Sequence, residues 1–415
     1  MGERAEVDFD HHSDQYFATK HTVWAEARSC PVAFNPTYGG FWVVSGYDEV
    51  AAVARDEATF TSTYVPGSPD GLDYLGIMGI PRLEEMSPAG IAESTETTHV
   101  ALRRLLNPFL LPPAVAARRP FLEASAAWFL DQRIEAGAMD LVTEFTSAVP
   151  AVMTLTLIGL PPERWPDYGE VFHATVSYPR GSPEYEHAAG LIPGMVEHLL
   201  GQAAQRRRDP RPDILSGLAT MEVEGRPLTD DEIVSVLWNL IGGGLDTTTS
   251  LTSLALYHLD LDRHLRRRIA DDLDLLVPAT EEYLRYWSVN ETLTRTVTRD
   301  VELGGQQLSR GDHLMIGWLS ANFDEAVFDR PGEVIVDRTP NPHLAFGVGP
   351  RRCIGMHLAR AQFLVMMREV LIRIPDYEVD RGAIRFYQGN PELTGVVSMP
   401  VRFSPGPRTG VTRPF

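Results

Sequence analysis

The sequence predicts a mainly helical protein with small β-sheets, and three observations support that fold class. Apolar residues recur at spacings of three and four from about residue 96 to 290, which is the period of amphipathic helices. Short strand-like runs stand near both ends of the chain. No clean linker and no internal repeat divides the 415 residues, so we expect one large lobed domain over 1–415. Its helical body should cover about 96–290 and 355–372, with small β regions near 36–65 and 295–404.

Composition and charge exclude several classes of protein. The chain is 44% hydrophobic and has a net charge of -19, which argues against nonspecific nucleic-acid binding. Its two cysteines, at 30 and 353, form neither a disulfide framework nor a zinc spacing, which is typical of a reducing compartment. The N-terminal "MGERAEVDFDHHSDQYF" is too polar for a signal peptide or membrane anchor. We therefore expect a cytoplasmic protein with no membrane and no nucleic-acid partner.

The elements follow one another in a recognisable order. "FWVVSG" at 41–46 predicts a strand, and a short helix should begin near Asp48. The segment 62–98 is rich in Pro, Gly and Ser, which favours a binding lid or a disordered stretch. "AVPAVMTLTLIGL" ends at a Gly-Leu-Pro-Pro stop, and "YPRGSPE" at 178–184 breaks two further helices. Strand-like runs return after 295 in "VELGG", "HLMIGW" and "VVSMPVRF".

The longest predicted helix covers 229–259, "TDDEIVSVLWNLIGGGLDTTTSLTSLALYHL". Thr229 and Glu232 have the spacing of a capping box, which marks the N-terminus of a helix. Because the segment is apolar on nearly every side, we expect it to be buried.

The middle of that helix contradicts ordinary helix preferences. Three glycines at 242–244 should cost about 2–3 kcal/mol of helix propensity, and the buried acid Asp246 costs more unless it is paired. One interpretation is a contact between helices through small residues, with Asp246 satisfied by a partner. The other is that a flat molecule approaches there, with Asp246 and the Thr247 hydroxyl beside it. These residues alone favour neither interpretation.

The stretch "FGVGPRRCIG" at 346–355 places a cysteine in a glycine-rich loop behind two arginines. A buried thiolate needs positive or hydrogen-bond-donating surroundings. Gly347 and Gly349 would let the backbone turn tightly, and Gly355 would permit close approach where the next helix begins. The dipole of that helix favours an anion at its N-terminus. The pattern predicts a thiolate at Cys353.

This stretch resembles the haem-binding signature of the cytochrome P-450 family, Phe-Gly-x-Gly-x-(Arg/His)-x-Cys-x-Gly, without a mismatch. The resemblance extends over nearly the whole chain. "HVALRR", "GGLDTT", "EEYLR", "RTVTRDVELGG" and "ANFDEAVF" followed by "HLAFG" resemble further motifs of the family, in the same order. It implies the triangular, mostly helical prism of that family, enclosing haem.

The resemblance also implies roles for individual residues. Haem b (iron protoporphyrin IX) would be the cofactor, and Cys353 would be the axial ligand of its iron. Asp246 and Thr247 would be catalytic, relaying protons during oxygen activation. The other residues expected to hold haem are His99, Arg103, Gly243, Arg295, Phe346, Gly347, Arg351 and Gly355. A buried structural ion network is expected among Glu282, Arg285 and Arg338.

The chain departs from the family pattern in two places. "TETTH" replaces the usual Asp-Pro-Pro-Glu before the histidine, and Val289-Asn290-Glu291 replaces a common Pro-Val. Asn290 or Glu291 would recognise a polar group of the substrate or form a solvated or haem-facing turn, and the two alternatives weigh equally. Asn239 is a further polar candidate, although a core amide is slightly favoured there. The candidate substrate-pocket residues are Asn239, Gly242, Asn290, Glu291, Leu293 and Leu393.

The activity implied is a monooxygenase that inserts one oxygen atom from O2 into a small hydrophobic or amphipathic molecule, with secondary-metabolite tailoring as one use. Electrons would come from a ferredoxin and a ferredoxin reductase, because the chain has no room for a redox domain and lacks four cluster cysteines. Arg104, Arg352 and Arg360 could form a basic patch for that partner. We expect a monomer. The alternatives are a peroxide-using or non-oxygenating haem-thiolate enzyme, or a haem-binding sensor.

Overall fold

About half of the chain is helical in this computed structural model, which describes residues 4–82, 88–388 and 390–415. None of the helices in those ranges has both the length and the apolarity needed to cross a membrane. The α-helices are α1 (Asp14–Ala27), α2 (Tyr47–Arg55), α3 (Gly90–Glu93), α4 (Glu96–Leu110), α5 (Pro112–Ala117), α6 (Arg119–Asp131), α7 (Ala148–Ile158), α8 (Trp165–Ser177), α9 (Pro183–Arg208), α10 (Ile214–Thr220), α11 (Asp230–Leu261), α12 (Arg263–Asp271), α13 (Leu276–Trp287), α14 (Trp318–Asn322) and α15 (Met356–Arg373).

Short strands form several small sheets. The strands are β1 (Val32–Asn35), β2 (Phe41–Val44), β3 (Phe60–Thr61), β4 (Tyr64–Val65), β5 (Tyr74–Leu75), β6 (Ala138–Asp140), β7 (Glu222–Val223), β8 (Arg226–Pro227), β9 (Thr292–Val297), β10 (Val301–Leu303), β11 (Gln306–Leu308), β12 (His313–Gly317), β13 (Glu378–Val379), β14 (Arg385–Phe386), β15 (Val396–Ser398) and β16 (Pro400–Arg402). The largest sheet has the order β1-β2-β12-β9-β3 and a second has the order β13-β16-β6.

The five-stranded sheet joins the N-terminal strands to strands nearly 300 residues later, as expected if the two β regions pair. β2 runs parallel to β12, while β1 is antiparallel to β2 and β9 is antiparallel to β12. All four residues of β2 are buried. Trp42 and Val44 pack into one apolar cluster and Phe41 and Val43 into another, because successive side chains of a strand point to opposite faces.

The predicted helix boundaries at residues 147–184 are confirmed. α7 ends at Gly159, whose φ of 97° lies in the left-handed region that favours glycine. α8 and α9 are separate helices, with a break at 178–182. Much of 62–98 is described as two short strands, a helical turn and loops, while residues 83–87 of this expected lid lie outside the described residues.

Helix α11 confirms the longest predicted element and extends it to 32 residues. At about 1.5 Å per residue it is about 48 Å long, enough to cross the molecule. The capping box is present: the Thr229 side chain accepts a hydrogen bond from the Glu232 amide (3.2 Å), and the Glu232 carboxylate accepts one from the Thr229 amide (2.8 Å). α11 packs against α3, α7, α8 and α15, which explains why it is apolar nearly all round.

A buried ion network lies where α13 meets the segment 331–341. Glu282 and Arg285 are fully buried and joined by two hydrogen bonds of 2.8 and 2.9 Å. Arg338 donates to the same carboxylate at 3.0 Å, and the amide of Ile335 donates to it at 2.8 Å. Arg285 also donates to the backbone carbonyls of residues 322, 331 and 333. The network therefore fixes the chain that leads into the 346–355 loop.

We expect Glu282→Gln to lower the free energy of unfolding by about 3–5 kcal/mol, because it leaves two buried arginines short of a counter-charge. Urea unfolding followed by circular dichroism measures the loss. Glu123→Gln is the matched control, since its ion pair with Arg119 is exposed (52% and 64% of the side chains) and should contribute less than about 1 kcal/mol. Equal unfolding midpoints for the two variants would contradict the structural importance of the network.

Candidate functional site

The loop 346–355 wraps the backbone around Cys353. Gly347 and Gly349 have φ of 65° and 81°, the left-handed conformation that favours glycine. A Cβ on Gly349 would lie 2.5 Å from the carbonyl oxygen of Ala54, so no other residue fits there. The Cys353 amide donates to the carbonyl of Phe346 at 2.8 Å, which closes the loop. Gly355 is the N-cap of α15, and a Cβ on it would lie 4.0 Å from the Cys353 sulfur.

The groups around Cys353 shift the pKa of its thiol in opposite directions. Burial raises the pKa, whereas a hydrogen bond from the Gly355 backbone and the charges of Arg103, Arg360 and Arg352 lower it. Burial is the stronger effect, so the protein groups alone do not give the thiolate that the sequence predicts. A bound metal cation deprotonates a coordinating thiol outright. Many protein atoms lie around Cys353, but the residue itself is still solvent-accessible. A cofactor enclosed by the protein could therefore reach it.

Three arginines converge beside this loop. Arg103 donates to the carbonyl of residue 352 at 2.8 Å, and Arg351 donates to that of residue 94 at 2.8 Å. Arg295 is buried, with its Nε unpartnered, and burial together with Arg351 lowers its pKa to about 10. Burial lowers the pKa of Arg103, and the charge of Arg351 lowers it further. Glu57 lies 3.1 Å from Arg351 and offsets only part of this charge.

His99 lies in the same group but is not a cation. Burial lowers its pKa to about 4, and Arg351 and Arg103 add to the effect. The ring is therefore neutral at pH 7 and offers a neutral N–H rather than a charged one. The excess positive charge of the three arginines fits the anionic propionates of haem, and so does the buried Nε of Arg295, which has no hydrogen-bond partner among the described residues.

The middle of α11 presents two different faces. A Cβ on Gly244 would lie 2.6 Å from the Thr154 hydroxyl oxygen, so this glycine serves a contact with α7. Gly243 is exposed, and a Cβ on it would have no atom within 4 Å. Asn239 and Thr247, one turn before and after, are partly exposed on the same face. Gly244 therefore fits the interpretation of a contact between helices, while Gly243 leaves the open space that the other interpretation requires.

The two expected catalytic residues point in different directions. The Thr247 hydroxyl donates to the carbonyl of Gly243 at 2.8 Å, on the open face. Asp246 is buried on the side of α8, where His173 Nδ1 lies 2.8 Å from its Oδ1 and the Tyr387 hydroxyl donates at 3.3 Å. Its second oxygen, Oδ2, is buried and has no hydrogen-bond partner within the described part of the chain.

His173 and Tyr387 were not predicted from the sequence. His173 stands in the amphipathic segment "WPDYGEVFHATVS", and Tyr387 lies 141 residues beyond Asp246. Only the requirement that the buried acid be paired pointed to such partners, and it did not identify them.

The structure brings two of the pocket candidates together. Asn290 and Leu393 form an antiparallel bridge, and the amides of residues 291 and 394 donate to carbonyls across it at 2.7 and 3.0 Å. Leu293 is half-buried in β9. On α11, Gly242 faces Phe172, to whose ring a Cβ would come within 3.2 Å.

Glu291 has a partner inside the protein that the sequence did not indicate. The residue is 2% exposed, so it is not a solvated turn, and its carboxylate forms an ion pair with Lys20 on α1. Burial raises the pKa of Glu291, and Lys20, the only lysine of the chain, opposes that rise. Because its carboxylate already has a cationic partner inside the protein, Glu291 has no need of a polar substrate group.

Known proteins match this chain along most of its length. A model of the cytochrome P450 family matches residues 185–374. A steroid C26-monooxygenase of Mycobacterium tuberculosis is 31% identical over 323 residues, which cover 76% of this chain and 86% of that protein. The polyketide biosynthesis cytochrome P450 PksS of Bacillus subtilis is 27% identical, over 89% of this chain and 91% of the relative. The structure of Mycobacterium marinum cytochrome P450 CYP268A2 in complex with pseudoionone superposes with a TM-score of 0.86 at 26% identity, over 97% of this chain and 100% of that one.

The fold and the cysteine loop are those of haem-thiolate proteins. The chain belongs to the cytochrome P450 family. It is accordingly a P450 monooxygenase with haem b as its cofactor.

Proposed function

We propose that this P450 uses O2 and electrons from a ferredoxin and its reductase to insert one oxygen atom into a small hydrophobic or amphipathic molecule. The single observation that best supports a site of this kind is Cys353 at the N-terminus of α15, surrounded by protein and yet accessible at its surface.

Haem would be held from two sides in this proposal. Cys353 would supply the thiolate that binds the iron, and the loop residues Phe346, Gly347 and Gly355 would surround that side of the haem. The propionates would be bound by three arginines, Arg103, Arg295 and Arg351. The neutral ring of His99 would donate a further hydrogen bond to them. Gly243 offers a face without a side chain, and α11 packs against the helix that follows Cys353. Bound in this way, haem supplies the redox chemistry, and a thiolate ligand favours O–O cleavage.

The role of Cys353 is tested by the absorption spectrum of the dithionite-reduced protein under carbon monoxide. We expect a strongly red-shifted Soret band that is lost in Cys353→Ala, because the shift reports a thiolate on the iron. Cys30→Ala is the matched control, since Cys30 is the other cysteine and its sulfur lies 3.5 Å from the carbonyl of Val32. A band at the position typical of histidine ligation in the folded, unaltered protein would refute the ligand assignment.

Asp246 and Thr247 would deliver protons during oxygen reduction. Asp246 is a buried acid with one unpartnered oxygen, and Thr247 carries a hydroxyl on the open face of α11. A hydroxyl group can pass a proton because it both donates and accepts hydrogen bonds. In this proposal Asp246 is the acid inside the protein, and Thr247 is the hydroxyl on the face where the reaction would occur.

We expect Thr247→Ala to bind haem normally but to release several times more hydrogen peroxide per NADPH consumed, because proton delivery fails. Reduction through a surrogate ferredoxin and reductase, with peroxide and NADPH measured together, provides the test. Thr247→Ser retains the hydroxyl and should restore the low peroxide yield. A Thr247→Ala protein as tightly coupled as the unaltered one would exclude the relay.

The substrate class is supported by the pocket candidates and by the relatives. Asn239, Gly242, Asn290, Leu293 and Leu393 are the proposed contacts, and most are apolar or neutral. The matched proteins are named for steroid oxidation and polyketide biosynthesis, and one structure holds pseudoionone. All of these point to a compact, largely apolar organic molecule, and tailoring of a secondary metabolite is the use that we propose. Spectral titration with a panel of steroids, terpenoids and macrolides would identify compounds that bind.

A ferredoxin would approach the side of the cysteine loop. Arg352 and Arg104 are exposed there and give a local positive charge to an acidic protein. Arg360, also expected in this patch, is half-buried and donates to Glu281 at 2.6 and 2.7 Å, so its charge is neutralised. The proposed contact thus depends on Arg352 and Arg104.

We expect Arg352→Glu to slow reduction by ferredoxin about tenfold at low salt, with the difference shrinking as ionic strength rises, because salt screens exposed charges. Stopped-flow reduction under carbon monoxide measures this rate. Arg385→Glu on β14 is the control, since that residue is exposed on a different part of the chain. Identical rates for the two variants at every salt concentration would refute the docking face.

A further inference from the structure

Asp246 is held in a buried group of hydrogen-bonding side chains that the resemblance did not include. His173 on α8 lies between Asp246 and the backbone of β15, with Nδ1 2.8 Å from Asp246 Oδ1 and Nε2 3.0 Å from the carbonyl oxygen of Val397. The Tyr387 hydroxyl also donates to Asp246 Oδ1 and accepts from Ser250 at 3.2 Å. His173 thus has hydrogen-bond partners on both ring nitrogens.

These partners determine where the protons are. A backbone carbonyl can only accept, so Nε2 of His173 carries a hydrogen. A contact of 2.8 Å between Nδ1 and a carboxyl oxygen also needs a proton between the two atoms. The pair therefore holds one proton there, as an imidazolium with a carboxylate or as a neutral imidazole with a carboxylic acid.

The charged groups around His173 favour the imidazolium. Burial lowers its pKa, but the Asp246 carboxylate, the Val397 carbonyl and the more distant Asp140 outweigh burial and raise it above the ordinary value. Asp140 reaches this region through a hydrogen bond of 2.5 Å from Ser398 on β15. Tyr387, packed on the other side, has a pKa far above neutrality because of burial and stays a neutral donor. Asp246 is the carboxylate that His173 contacts directly, so the proton of the imidazolium is the counter-charge of Asp246.

We propose that His173 is a positioning residue that stores the proton which Asp246 donates. The Nδ1–H of the imidazolium passes to Asp246 Oδ1, which leaves a neutral imidazole that keeps its Nε2–H and a carboxylic acid that can donate. Once Asp246 has given up that proton and is a carboxylate again, a proton from solvent restores the imidazolium, because the His173 side chain is 13% exposed and not sealed from water. This inference rests on the proposed role of Asp246 as a proton donor.

His173→Asn separates this role from a purely structural one. The asparagine amide can occupy the place of Nδ1 and donate to Asp246, but it cannot carry a titratable proton. In reactions without added substrate, where electrons end in peroxide or water, we expect His173→Asn to raise the peroxide released per NADPH several-fold and to make it independent of pH. In the unaltered protein the peroxide share should be low at pH 6.5 and rise towards pH 9, as His173 loses its stored proton.

A second measurement needs no turnover. Because the pKa of His173 is raised in the folded state, the stability it contributes is fully present below the unfolded value of about 6.5 and is lost as pH rises through the folded value. The difference in urea midpoint between the haem-loaded unaltered protein and His173→Asn should therefore be largest near pH 6 and shrink by pH 9.

Asp246→Asn distinguishes failure of this inference from failure of the proposed function. If Asp246→Asn raises the peroxide share and His173→Asn behaves like the unaltered protein at every pH, the inference is overturned while Asp246 keeps its role. If Asp246→Asn also leaves the peroxide share unchanged, the proton-donor role fails and the inference fails with it. A stability difference that does not vary with pH would equally overturn proton storage by His173.

Discussion

Helix α11 approaches α7 so closely that no side chain fits between Gly244 and Thr154. This contact sets the rotation of α11 about its own axis. Successive residues of an α-helix are about 100° apart, so once Gly244 faces α7 the directions of its neighbours are determined. Gly243 and Thr247 then lie on the open face, and Asp246 turns towards α8 and His173. The flat face, the hydroxyl and the buried acid all depend on one close contact between helices.

The ion network around Glu282 performs a comparable task for the cysteine loop. Buried charges give little net stability, because desolvation offsets most of their attraction. What the network supplies is position: Arg285 and Glu282 bind the backbone of residue 322 at the end of α14, and of residues 331, 333 and 335, which lie outside the helices and strands. The Asn322 side chain in turn accepts a hydrogen bond from the Leu344 amide. The Leu344 carbonyl accepts one from the Gly347 amide, which lies in the cysteine loop. Cys353 is thus placed by bonds that begin in α13.

Two buried acids near the proposed pocket are paired by different cations, and the pairing separates their functions. Glu291 is matched by the Lys20 ammonium group on α1, and this ion pair is a structural contact. Asp246 is matched by a histidine, the type of side chain whose charge changes most readily near neutral pH. A buried carboxylate is thus neutralised by a lysine at one position and by a histidine at the other.

The sequence by itself determined the fold class, the helical and strand regions, the capped start of α11 and the cysteine loop, because each depends on local periodicity, caps or residue order. It also brought Glu282, Arg285 and Arg338 together through resemblance. Tertiary structure alone decided which glycine of α11 packs and which stays open, that burial outweighs the arginines at the Cys353 thiol, and that His99 is neutral. It also decided the partners of the buried acids, since Lys20 lies 271 residues from Glu291 and His173 lies 73 from Asp246. Desolvation and long-range pairing depend on everything packed around a group, and no local pattern of residues encodes them.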